Sequence, residues 1–251
     1  MDVELIPALA LLVGGIVAGF VNVIAAGGSL ITMPLLIFMG ISPTSANGTV
    51  RIAILVQGLT ATFRFHRAGK IDWKVVLKLV LPVWAGALVG AIAASKMADT
   101  DFKAMIGWIT LVAGGVVAID FKKMLASRSG ELSKTRSAIF LLSLLIVGFY
   151  GGLAQAGVGY LFLAALVIGG GYTLVDANIL KVVLVMAYTP IAIVVFGISG
   201  QIHIGYAVLL AVGQAIGAHV GAGMTLTKGE KIIRPILTLV VMAAATKLVF
   251  F

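Results

Sequence analysis

The sequence predicts an all-α, polytopic membrane protein made of two inverted repeats, each with about five transmembrane or re-entrant segments. Three observations carry that reading. The 251-residue chain is 61% hydrophobic and only 11% charged, more apolar surface than a soluble domain of this size can keep from water. Apolar stretches near the roughly 20 residues needed to cross a bilayer follow one another almost to the last residue. Similar motifs also recur in the two halves, most of them in one register.

The first half carries apolar segments at about 5–24, 28–41, 47–63, 75–95 and 104–120, and the second at about 137–151, 157–171, 177–197, 205–224 and 235–251. The opening stretch "MDVELIPALALL" is acidic and lacks a small-residue cleavage site, so it reads as a retained span and not as a removed signal peptide. Segments 28–41 and 157–171 are short for full crossings. They read either as complete spans or as half-helices and re-entrant hairpins, which membranes tolerate only when buried in protein or lining a cavity. The longest polar stretch, Asp120 to Ser137, divides the chain. It sets a first repeat at 1–121, a cytoplasmic linker at 122–136 and a second repeat at 137–251, all within one membrane domain.

The repeat rests on paired motifs. "GFVNVIAAGG" (Gly19 to Gly28) parallels "GFYGGLAQAG" (Gly148 to Gly157), and "SAN" at Ser45 falls against "DAN" at Asp176. "AGKI" at Ala68 matches "SGQI" at Ser199, and "GALVGA" at Gly86 matches "GAHVGA" at Gly217. The last three pairs share a single offset of 131 residues across polar loops. Chance similarity between apolar helices does not preserve such a register.

Loop charge then gives orientation. With five crossings per half and the N-terminus outside, the inner loops hold Arg64, Arg67, Lys70, Lys74 and Lys78, then Lys122, Lys123, Arg128, Lys134 and Arg136, then Lys228, Lys231 and Arg234. That is 13 of the 18 basic residues, a positive-inside pattern. It puts the N-terminus and the C-terminus on the extracytoplasmic side of an inner membrane. Four crossings per half would move the Lys228–Arg234 cluster outside. An odd number per half also means that the halves have opposite orientations, a design shared by many secondary transporters. The net charge of +9 is thereby explained without nucleic acid.

Paired, broken segments in matching places are the strongest sequence pointer to a transporter's binding site. Gly27, Gly28 and Ser29 break the first run, with Pro34 beyond; Gly151, Gly152, Gly157 and Gly159 break the second, with Gln155 among them. New helix N-termini at such breaks attract anions, and Asn22, Ser29, Thr32 and Gln155 can add neutral hydrogen bonds. The alternative for any glycine is close helix packing, the reading favoured for Gly86, Gly90, Gly217 and Gly221. Ser45 and Asp176 are the expected N-caps of the helices that follow, with Asn47 or Asn178 as substitutes. One turn past these asparagines lie Arg51 and Lys181, cations within apolar runs. A cation at the bilayer centre costs about 2.5–3.5 kcal/mol or more, so each is expected to face the permeation path, or else to snorkel to the headgroups.

Other chemistry finds little support. There are no cysteines, so thiolate chemistry and disulfides are excluded. His66, His203 and His219 show no metal-ligand spacing, and His219 reads as a packed histidine within a span. Gln57 and Gln214 read as amides that cross-link helices. No acidic residue lies mid-span, and no nucleophile, base and carboxylate set suggests an enzyme. "AAGGSL" falls short of a nucleotide-binding loop, and neither cofactor nor metal is expected.

The run "GFVNVIAAGGSLITMPLLIFMGISPTSANGTVR", the later "FRFHRAGKIDWK" and "GFYGGLAQAGVGY" resemble the TauE/SafE (sulfite exporter-like) family of membrane permeases over essentially the whole chain. Gly27, Gly28, Pro34, Ala46, Gly48 and Thr49 carry the first-half signature; in the second half Ala164–Ala165 and Ile179–Leu180 depart from it. The resemblance implies a carrier of sulfite or an organosulfonate such as sulfoacetate. The residues themselves imply only a small anion. The expected site comprises Asn22, Gly27, Gly28, Ser29, Thr32, Asn47, Thr49, Arg51, Gln155, Gly157, Gly159, Asn178 and Lys181, at the midplane where the breaks meet. Access would alternate as one half rocks against the other. A passive anion channel is the alternative, and a membrane-embedded enzyme or assembly factor a more remote one. The expected partners are the anion and the lipid bilayer, and the sequence is compatible with a homodimer.

Overall fold

The computed structural model describes residues 5–105 and 134–238, and within them the regular elements are all helices, without strands. The helices are α1 (Leu5–Ala25), α2 (Ser29–Phe38), α3 (Pro43–Arg67), α4 (Trp73–Ser95), α5 (Lys134–Leu153), α6 (Val158–Ala164), α7 (Leu174–Ile198) and α8 (Ile204–Lys228). A π-helical turn, Ala165–Gly169, extends α6, and short helical stretches occupy 99–105 and 230–238. The expected segments 104–120 and 235–251, and most of the linker 122–136, lie largely outside the described residues, as do both chain ends.

Among the described residues four helices, α1, α4, α7 and α8, are long and apolar enough to cross a membrane. Their outer faces are apolar: Leu77, Leu81, Trp84 and Leu88 form an exposed stripe along α4, at the spacing of one helix face. In a soluble protein that stripe would be a liability; against acyl chains it is the expected exterior. The chain is a multi-pass membrane protein.

The two short segments are the return arms of hairpins. The 10 residues of α2 rise about 15 Å, half of a hydrocarbon core of about 30 Å. The arm folds back along α1, because a methyl group added at Gly14 would meet Leu35 at 2.9 Å and one at Gly28 would run into the Ala18 carbonyl. Likewise α6 and its π turn fold back along α5, where Gly169 sits against Phe140 and the Tyr150 hydroxyl donates to the Ala156 carbonyl.

Glycines set the tightest contacts. Gly15, Gly19, Gly213 and Gly217 bring α1 and α8 together side by side, and Gly86, Gly90, Gly148 and Gly152 do the same for α4 and α5. Both are parallel pairs joined through small residues, which let backbones approach closely enough for van der Waals attraction in lipid. Between them cross α3 and α7. Gly48 lies beside Phe196 and Gly58 beside Met186, so these two helices run antiparallel.

Backbone geometry repeats along the chain at the offset seen in the motifs. Left-handed backbone occurs at Ala26 and Gly157, at Gly40 and Gly171, and at Gly69 and Gly200, each pair 131 residues apart. The helix starts at Pro43 and Leu174, and at Trp73 and Ile204, keep the same spacing. This register moves one motif pair: aligned on residue types, Gly19–Gly28 against Gly148–Gly157 is two residues out, because the shared feature is the chain reversal at Ala26 and Gly157. For an alanine the left-handed conformation costs on the order of 1–3 kcal/mol, so the surroundings impose the turn.

The N-caps also differ from expectation by one turn. Ser42 and Thr173 cap α3 and α7, accepting from the N–H groups of Ser45 and Asp176. Ser45 and Asp176 therefore sit inside the first turn, where Asp176 in addition accepts from the Thr173 hydroxyl at 2.6 Å. At the head of α3, Asp99 accepts from the Thr44 hydroxyl at 2.6 Å and its N–H at 3.0 Å. Both bonds hold the Asp99 carboxyl below its usual value.

Two outcomes follow. Gly90→Val or Gly217→Val wedges a parallel pair apart and lowers stability by roughly 1–3 kcal/mol, read as a lower Tm of the detergent-solubilised protein; an unchanged Tm contradicts the packing. The Asp99 contribution is present above the ordinary carboxylate value near pH 4 and is lost as pH falls through the depressed one. Asp99→Asn therefore flattens the acid limb of a Tm–pH curve, and a curve that overlays wild type contradicts the contact.

Candidate functional site

A helix that ends leaves its last carbonyls without intrahelical partners and presents about half a negative charge. Here α1 and α5 both end inside the protein, and the long helix of the opposite half supplies what is missing. From α3, Asn47 Nδ2 donates to the Leu153 carbonyl at 3.1 Å. Arg51 Nη1 and Nη2 donate to the carbonyls of Gly151 and Gly152 at 2.6 and 2.8 Å. From α7, Asn178 Nδ2 donates to the Val23 carbonyl at 2.8 Å, and Lys181 Nζ to the Asn22 carbonyl at 2.9 Å. Each cation also engages its own asparagine, Lys181 at 2.7 Å and Arg51 at 3.4 Å. The two caps are reciprocal: α3 closes the break of the second half, and α7 closes that of the first.

The breaks themselves touch. Ser29 Oγ donates to the Gln155 carbonyl at 2.9 Å, and Gly159 packs directly on Ala26. Between the breaks lies a small cavity with polar walls from Asn22, Gln57, Gln155 and Lys181 and apolar walls from Val158, Val182 and Val185. It has room for about one water molecule. Of the three protons on the Lys181 ammonium, two are directed at Asn22 and Asn178; the third meets no acceptor among the described residues. Gln57 accepts from Asn22 Nδ2 at 3.2 Å.

The thirteen expected residues divide into groups. Asn22, Gln155, Gly159 and Lys181 line the cavity. Asn47, Arg51 and Asn178 brace the helix ends, Gly27, Gly28 and Gly157 form the turns, and Ser29 joins one break to the other. Thr32 is fully buried, and its hydroxyl finds no partner among the described residues. Thr49 lies apart from the cavity, accepting from the His203 N–H at 3.0 Å at the head of α8. Neither cation snorkels, since Arg51 is 0% and Lys181 2% exposed. They differ in reach: Lys181 borders the cavity, while the Nη groups of Arg51 are committed to carbonyls and amides. His219 is exposed and not packed; its carbonyl accepts from Arg64 at 2.8 Å.

Two residues of the site stand outside the expected set. Gln57 does cross-link helices, as its mid-span position suggested, but it also forms cavity wall. Tyr188 donates to Gln155 Oε1 at 3.0 Å; a tyrosine in an apolar run gives no sign of this until the fold brings α7 beside the second break. Among the described residues no group of His, Asp and Glu could hold a metal ion.

Two discontinuous helices that meet around a polar cavity inside a multi-pass helical bundle are how many membrane transporters build their sites. The comparisons with known proteins agree: residues 11–248 match the family described as sulfite exporter TauE/SafE, and the chain belongs to that family. A probable membrane transporter protein of Sinorhizobium is 31% identical over 242 residues, covering 95% of this chain and 90% of that one. A probable membrane transporter protein of Haemophilus influenzae is 27% identical, with 94% and 92% covered. The probable membrane transporter protein YfcA of Escherichia coli K12 is 26% identical, with 93% and 86% covered. No solved structure matches the chain. The protein is thus a membrane transporter, and relatives named as transporters fit a protein that is not an enzyme.

Arg51→Met would leave the buried Gly151 and Gly152 carbonyls without their Arg51 donors. At about 1–3 kcal/mol for each buried group left unpaired, the variant should lose several degrees of Tm, whereas Arg51→Lys recovers part of the loss. A Met variant as stable as wild type contradicts the bracing role.

Proposed function

We propose that the protein is a secondary transporter of a small sulfur-containing anion, such as sulfite or an organosulfonate, bound between the two hairpins and moved by alternating access. The observation that carries the anion class is an excess of positive charge. Arg51 and Lys181 are both buried, and their hydrogen-bond partners are carbonyls and amides, with no carboxylate among them. The two helix C-termini offset about half a charge each, which leaves roughly one positive charge for a ligand to balance. Helices α2 and α6 begin at the same junction, and their N-terminal N–H groups favour anions as well. The sulfur chemistry comes from the family's description as sulfite exporters.

The two halves are read as inverted repeats, supported by the antiparallel course of α3 and α7 and by the recurrence of left-handed turns at one offset. With Arg64, Arg67, Lys70 and Lys74 on the cytoplasmic side of an inner membrane, the N-terminus is extracytoplasmic. The reciprocal caps bear on how access alternates. Rocking residues 5–105 as a block against 134–238 would tear four residues from the carbonyls they satisfy. Motion is cheaper if each hairpin travels with the helix that caps it, so that α1–α2 moves with α7 and α5–α6 with α3.

The test is flux in proteoliposomes with sulfite, sulfate, thiosulfate, sulfoacetate and small carboxylates. Saturable movement of sulfite or a sulfonate is expected, with apparent affinity reduced about tenfold or more in Lys181→Gln, since a buried bond to a charged group is worth roughly 1.5–3 kcal/mol. Movement of cations or neutral solutes alone contradicts the anion class, and conduction without saturation favours a channel.

A further inference from the structure

One amide in the cavity has its orientation dictated by a neighbour that can only donate to it, the Arg51 guanidinium. Arg51 Nη1 lies 2.9 Å from one terminus of the Gln155 side chain, and the Tyr188 hydroxyl lies 3.0 Å from the same atom. A guanidinium has no acceptor, so that atom is the carbonyl Oε1 and the NH2 group is the opposite end. The rest of Gln155 is also committed: its backbone N–H donates to Asn47 Oδ1 at 3.0 Å, and its carbonyl accepts from Ser29. The side-chain Nε2 meets no acceptor among the described residues, although Gln155 is 1% exposed and borders the cavity. Tyr188 is itself held in place, fully buried and stacked on Phe162 with ring centroids 6.1 Å apart.

We infer that Gln155 Nε2 is a hydrogen-bond donor to the transported anion, and that Arg51 and Tyr188 are positioning residues that act through Gln155 without touching the ligand. The inference rests on the anion reading above and gives the site a second donor. Lys181 supplies charge, and Gln155 supplies a neutral N–H2 whose direction is fixed before the ligand arrives. Such preorganisation raises affinity because little side-chain freedom is left to lose on binding. It also accounts for a buried tyrosine hydroxyl on α7 that neither cap requires.

The test is equilibrium binding of sulfite and of an alkyl sulfonate to the full chain in detergent, for wild type, Tyr188→Phe, Gln155→Ala and the double variant. Tyr188→Phe should weaken binding about three- to tenfold, the worth of one hydrogen bond, and Gln155→Ala more. If Tyr188 acts through Gln155, the double variant binds as Gln155→Ala does, with no further loss. Wild-type affinity in Tyr188→Phe, or an added loss in the Gln155→Ala background, overturns the inference. Should Gln155→Ala fail to fold, Gln155→Glu replaces it, since a carboxylate there pairs with Arg51. That variant should be folded and unable to bind, and anion binding at wild-type affinity overturns the donor role. Failure of the transport reading itself would look different: wild type would bind neither anion, and the present inference would fall with it.

Discussion

A helix that stops inside a bilayer must pass its last carbonyls to something other than water. Everything at the centre of this protein follows from meeting that demand twice. The ends of α1 and α5 could not be left bare, since each buried carbonyl left unpaired costs about 1–3 kcal/mol. The chain meets the need with an asparagine and a cation one turn apart on the crossing helix of the other half. The cations are accordingly structural before they are anything else. The geometry ties the halves together at the place where the chain reverses, and it concentrates positive charge where a ligand could use it.

The two caps are alike in plan and unlike in consequence. Arg51 spreads its donors over two carbonyls, Asn47 and Gln155, and a planar fork suits that divided task. Lys181 is a compact charge with three donors, two of which are taken by Asn22 and Asn178, and it borders the cavity. Two elements at matching positions therefore differ: Arg51 is spent on bracing, while Lys181 also borders the cavity. The same division appears in the backbone. The first break turns on a strained alanine and carries Pro34 in its return arm, while the second turns on glycine and relaxes into a π turn at Ala165.

Much of this was legible in the sequence because it is written in residue types that membranes rarely tolerate. Glycine clusters, an amide and a cation in an apolar run stand out, and they located both breaks, both asparagines and both cations. Hairpin against full crossing was not legible, because a 14-residue apolar run satisfies either until Leu35 is seen folded against Gly14. The target of Arg51 was hidden for a related reason: backbone carbonyls leave no mark in a sequence, so a cation that binds them looks like one that awaits an anion. Thr49 belonged to the matched signature yet serves the head of α8, because a small polar residue near a helix start has several available partners. Tyr188 was invisible because its role depends on a neighbour 33 residues away in the chain.

On this reading the anion sits between the two capped breaks, and the cavity there, which has room for about one water molecule, widens to admit it. Selenite has the shape and charge of sulfite and carries an atom that scatters anomalously. A structure of the protein with selenite bound, phased to locate selenium independently of the methionines, tests the claim most directly. A selenium peak is expected between the breaks, with selenite oxygens within hydrogen-bond distance of Lys181 Nζ. Selenium found at the basic loops or between α4 and α5, with the cavity between the breaks unchanged, would contradict it.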